Sequence, residues 1–165
     1  FYSAACDSLV PRQTSALAER DGSAMVRATW LATALCGFPA VAASAVLIVA
    51  GDKVFAVLLG PVAVMPAATT PIIIVLLIGN MAQMVSHSVL VHTGYFKEVA
   101  RISFGLVLAM TGVAALTIWA HLDIVQFLNA FATVYMWGAL VAVALMIRGP
   151  IRLAQDGPAY VAQGA

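Results

Sequence analysis

The residues best equipped for chemistry lie in one apolar run: Asn80, Gln83, Ser86 and His87. Positions 80, 83 and 87 are spaced i, i+3, i+7, which aligns them along one stripe of a helix. Amides and an imidazole both donate and accept hydrogen bonds, so this stripe suits a cavity that passes sugar hydroxyls. It also suits plain hydrogen bonding between packed helices. Against lipid each group would be costly, so the stripe is expected to face protein or a wet cavity. Gln126, Asn129 and Thr133 form a similar stripe nearer a membrane interface, where helix–helix bonding is the simpler use.

Other chemistries find no support in the spacing. His87 and His92 are five residues apart, about 140° around a helix axis, and His121 falls at the opposite membrane face, so no metal site is expected. A zinc site would need three or four converging ligands. Cys6 and Cys36 make no disulfide framework; one is placed near the cytoplasmic face and the other inside the bilayer, each read as a buried or idle thiol. No Ser/His/Asp or Cys/His set can be assembled at one depth, and no Gly-rich phosphate loop is present. The chain is not expected to be an enzyme or to need a cofactor.

The elements that must position the stripe follow from composition. Of 165 residues, 63% are hydrophobic and 9% charged, with a mean hydropathy of +1.01. Soluble domains carry about 25% charged residues. So much apolar surface cannot be hidden in water, which excludes a soluble enzyme, a nucleic-acid binder and a disordered chain. The net charge of +1 argues for no polyanionic partner. The partner implied is the lipid bilayer, not nucleic acid.

Charges punctuate the spans, each of which needs roughly 20 apolar residues. The uncharged run from Ala28 to Gly51 gives span one, about 28–50, with Pro39 near its middle as an expected kink. Pro61, Pro66 and Pro71 break the long run after Val54, leaving a short apolar piece, Val54 to Leu59, and span two over 71–92. Spans three and four fall at about 102–120 and 125–147. Gly37, Gly79, Gly105 and Gly112 are candidates for close helix approach, and Trp30, Tyr95, Trp119 and Tyr160 for interface anchors. The tail 149–165, with Gly149-Pro150 and Gly157-Pro158, reads as a helix stop and a short disordered cytoplasmic end. Among the eight Lys and Arg residues only Lys53 falls on the outer side, so the positive-inside rule puts both ends in the cytoplasm, with outward loops near Gly51–Thr70 and Ala120–Val125. The fold class expected is all-α: a polytopic membrane helix bundle of four transmembrane helices, 28–148. The chain opens at Phe1 without a basic leader and reads as a piece of something longer or a processed product.

The segment before span one is the most specific. Pro11-Arg12-Gln13-Thr14-Ser15-Ala16-Leu17-Ala18, then Arg20-Asp21-Gly22 and Met25-Val26-Arg27, resembles the cytoplasmic loop of the polysaccharide-transporter flippases. These belong to the multidrug/oligosaccharidyl-lipid/polysaccharide exporter superfamily. There a proline ends a helix, a small-residue segment with a turn follows, and a basic residue opens the next span. Leu58-Leu59-Gly60 looks like the family's apolar-Gly turn, and Thr93-Gly94 with Lys97 is similar to its Gly-x-x-Lys loop. Order and spacing fit over about residues 5–120. Pro61 departs from the family's run toward a tyrosine, and spans three and four carry no signature.

The resemblance implies the last four helices of a twelve-helix, two-lobe transporter in the bacterial cytoplasmic (inner) membrane, with Phe1–Val10 ending the preceding helix. It implies flipping of a polyprenyl-diphosphate-linked glycan for cell-surface polysaccharide biosynthesis. Asn80, Gln83 and His87 would face the glycan, and the missing N-terminal lobe of the same chain would supply the cations for the diphosphate. A drug or cation exporter of the same superfamily is the alternative within that fold, although such carriers usually hold an intramembrane acid. A four-helix assembly subunit without transport activity is the alternative outside it.

Overall fold

A computed structural model describes residues 6–60 and 68–155. Tyr160, Pro61, Pro66, the first five residues and the tail beyond Gln155 lie outside the described residues. The described elements are helices: α1 (Val10–Ala18), α2 (Gly22–Leu59), α3 (Thr69–His92), α4 (Phe96–Trp119), α5 (Ile124–Met146) and α6 (Arg152–Gln155). A π-helical turn, Ile147–Ile151, joins the last two. Four stretches are long and apolar enough to cross a membrane: Gly22–Leu58, Thr69–His92, Phe96–Trp119 and Ile124–Gln155. The chain is an all-α, multi-pass membrane protein.

Helix ends are set by local hydrogen bonding. Asp21 caps α2, its carboxylate accepting from Ala24 N–H at 2.9 Å. Asp123 and Gln126 form a reciprocal capping box at α5: Gln126 N–H donates to Asp123 at 2.8 Å and Asp123 N–H to Gln126 Oε1 at 3.1 Å. Such a box satisfies backbone donors that a helix start leaves unpaired. Three helices close with a backbone bond that bridges a left-handed residue: Asp21 N–H to Ala16 O, Tyr95 N–H to Leu90 O, and Leu122 N–H to Thr117 O. Glycine takes that position once, at Gly94, whereas Arg20 and His121 take it with φ of 54° and 51°.

Several boundaries differ from the charge punctuation. The 38 residues of α2 would run about 57 Å if straight, against about 30 Å of hydrocarbon. Pro39 keeps helical dihedrals around it; the helical path breaks instead at Ala50, with φ −137° and ψ 25°. Beyond that break Gly51–Leu59 is helical, so Asp52 and Lys53 sit within a helical segment and not in a loop. α4 begins at Phe96, six residues before the uncharged run, and takes Lys97, Glu98 and Arg101 into its first turns. Pro150 does not stop the last helix. A proline ring clashes with the carbonyl four residues back, and widening the turn to π geometry accommodates it, so the chain stays helical to Gln155.

α3 is the central helix. It packs most extensively on α5, then on α2, while α4 lies against α5. α1 and α6 close one end of the bundle, where Ala16, Met25, Val89, Leu90, Val99, Met146 and Ala154 form a single buried core. Arg12, Arg20, Arg27, Lys97, Arg101, Arg148 and Arg152 surround this end, which is here termed the basic end. Val99, in this core, is the one buried residue of α4.

Candidate functional site

Most hydroxyls within the spans are satisfied by their own helix. Thr29, Thr33, Ser44, Ser86, Thr111, Thr117 and Thr133 each donate to the carbonyl four residues back, at 2.7–2.9 Å. Short hydroxyl side chains can do this; the amides of Asn and Gln and the phenol of Tyr have to find partners elsewhere. That distinction removes Ser86, buried and self-bonded, from the candidate stripe. It leaves Asn80, Gln83 and His87.

Asn80 faces α5. Its Oδ1 accepts from the Tyr135 hydroxyl at 3.0 Å, across the α3–α5 contact. The approach is close because Gly79 has no side chain: a Cβ there would lie 2.7 Å from Met136 Sδ and 3.2 Å from the Tyr135 ring. Gln83, a turn further along α3 toward the basic end, has its Oε1 buried without a hydrogen-bond partner among the described residues. An unpaired buried carbonyl costs free energy, and in a native fold it marks a place for water or ligand. His87 is half-buried on the same stripe. The three residues thus share the face predicted from their spacing, but only Asn80 has a cross-helix bond of its own.

The second stripe divides. Gln126 is spent on the α5 capping box. Asn129 and Thr133 line an open groove of about 540 Å³ between α3 and α5, with Pro71, Val75, Met136 and Trp137. The groove adjoins the Asn80–Tyr135 bond, since Met136 contacts Gly79. Phe127, Phe131 and Tyr135 follow one another up α5 with ring centroids 5.8 and 6.5 Å apart. Tyr135 is the functional candidate that spacing arguments missed. Its signal is a phenol well inside a span, where the hydroxyl demands a partner.

Two further expectations change. Among the described residues Gly105 and Gly112 meet nothing within 4 Å, so neither packs a helix there, whereas Gly37 admits Met81 Sδ to 3.3 Å of where a Cβ would stand. Cys6 and Cys36, assigned to different depths, are both buried and face each other with sulfurs 3.7 Å apart. Among the described residues no three His, Cys, Asp or Glu side chains converge. His92 Nδ1–H is bonded to the Ser88 carbonyl at 2.7 Å and His121 is exposed at the opposite end. Comparisons with protein-family models, curated proteins and solved structures return no match to the chain.

Proposed function

We propose that this chain is the C-terminal lobe of a transporter that moves a lipid-linked oligosaccharide across the bacterial cytoplasmic membrane. In this reading both ends are cytoplasmic, and the basic end faces the cytoplasm as lysine and arginine placement requires. The observation that carries the reading is the buried, unpaired Gln83 carbonyl on the stripe shared with Asn80 and His87. The face they share offers acceptors and donors but no carboxylate, which matches a hydroxyl-rich cargo better than a cation.

The surroundings support the same reading. The groove beside Asn129 and Thr133 opens between α3 and α5, and the outward face of α4 leaves Phe104, Val107, Leu108, Leu116 and Ile118 exposed. Uncovered helices agree with a second lobe supplied by the rest of a longer chain. The diphosphate would be held there, because none of the four spans carries a buried cation in its middle. The resemblance of the segment before α2 to the flippase loop adds the substrate class.

The test is replacement of Asn80, Gln83 and His87 by leucine in the full-length protein. Glycan export in a cell-based assay should fall while membrane insertion is kept; unchanged export would defeat the assignment. A second reading, an assembly subunit without transport, is favoured by one bond. The Tyr135 hydroxyl ties up Asn80 as an interhelical link would. Under that reading Tyr135→Phe loosens the bundle and leaves export as it was.

A further inference from the structure

The two cysteines play no part in the proposed transport, yet they pair across 30 positions. Cys6 precedes α1 and Cys36 lies inside α2, with Sγ–Sγ 3.7 Å. Their residues are 2% and 0% exposed, within a cluster of Leu9, Ala32 and Val85 against which Met81 of α3 packs. Gly37, the neighbour of Cys36, lets the Met81 sulfur approach to 3.3 Å of its missing Cβ. Three elements therefore bring three sulfur-bearing side chains into one apolar cluster.

We propose that Cys6, Cys36 and Met81 form a binding site for one Cu(I) ion. Thiolate and thioether donors select soft ions of this class, while Mg, Ca and Mn prefer carboxylate and carbonyl oxygen. Structural zinc needs four nitrogen or thiolate ligands, and no third His, Cys, Asp or Glu joins the pair among the described residues. Geometry points the same way. With metal–thiolate bonds of about 2.3 Å, sulfurs at the observed separation subtend about 107° at the metal. That angle is far from the linear arrangement of two thiolates alone and calls for a further donor, which the Met81 thioether supplies. Binding replaces two S–H bonds by two Cu–S bonds and releases two protons to solvent. The metal stays monovalent, so no oxidant or reductant is consumed, and the complex carries one negative charge. The ion would tie the segment before α1 to α2 and α3.

The experiment is competition for Cu(I) against a chromophoric chelator, bicinchoninate, with the full chain purified in detergent under anaerobic, reducing conditions. One Cu(I) per chain should leave the chelator, and X-ray absorption should find sulfur-only coordination with three donors. Cys6→Ser and Cys36→Ser should each weaken binding by more than the roughly 100-fold that loss of an outer-shell partner costs. Met81→Leu conserves volume and should weaken it about tenfold while removing one sulfur from the absorption spectrum. That variant keeps the proposal testable if the serine variants fail to fold. Binding unchanged in the double serine variant, or absent from the unaltered chain, would overturn the site.

Discussion

At the basic end all six helices converge on Met25, Val89, Leu90 and Met146, whereas toward the other end an open groove lies between α3 and α5 and α4 has no buried residue. The contrast is not one of hydrophobicity, since both halves are apolar. In lipid the hydrophobic effect does not draw helices together; close packing and interhelical hydrogen bonds do. At the basic end Gly22 fits against Ala154 and Gln155, and Gly149 fits against the Tyr95 ring, each leaving no room for a Cβ. On α4, Gly105 and Gly112 meet nothing. A small residue therefore aids packing only where another helix stands opposite it, as at Gly79 and Gly138, and not on the outward face of α4.

The largest test compares cores. Met25→Ala, at a fully buried position of the basic end, should cost about 3 kcal/mol, toward the low end for such truncations because lipid removes part of the transfer contribution. Phe104→Ala on the bare face of α4 should change stability by less than about 0.5 kcal/mol. Reversible unfolding in mixed micelles measures both, and equal losses would erase the contrast.

A second comparison sets two glycines against each other. Gly79→Val drives a side chain into Met136 and Tyr135 and should destabilise by about 2 kcal/mol. Gly112→Ala meets open space and should stabilise by up to about 1 kcal/mol through helix propensity. If Gly112→Ala were the damaging change, α4 would have a partner at that position. Tyr135→Phe, which removes the donor to Asn80, should cost about 0.6 kcal/mol, the average for such bonds in membranes.

The smallest effect belongs to a helix start at the basic end. Bonds from the Ala24 backbone N–H and the Ser23 hydroxyl hold Asp21 below the ordinary aspartate pKa. Its folded state is thus favoured while the carboxylate is charged. The contribution is complete above the unfolded value of about 3.9 and disappears as pH falls through the lower folded value. An acid melting series should show a shallow loss of Tm there that Asp21→Ala lacks. A series indistinguishable between the two proteins would remove the cap from the account.

Much of the architecture was legible before any coordinates. Uncharged runs pointed to four helices long and apolar enough to cross a membrane, because a charge is costly at bilayer depth whatever the fold. The i, i+3, i+7 spacing put Asn80, Gln83 and His87 on one face, because helical geometry alone decides that. Where local rules compete, the reading slipped. Pro150 looked like a terminus, but a π turn absorbs it beside a buried contact, and Asp52 and Lys53 looked like a loop, but α2 resumes beyond Ala50.

Partners were a different matter. In water, an apolar face marks the side of a helix that packs. In lipid the packed face and the lipid face are both apolar, so no periodicity says which way α4 turns or that α3 is central. Tyr135 meeting Asn80 and Cys6 meeting Cys36 are likewise pairings across 55 and 30 positions that no spacing encodes. Composition and charge determined that the chain crosses a membrane and which ends of its helices lie together. Only the tertiary structure decided which side chains meet, because in a bilayer that choice rests on shape and on single hydrogen bonds.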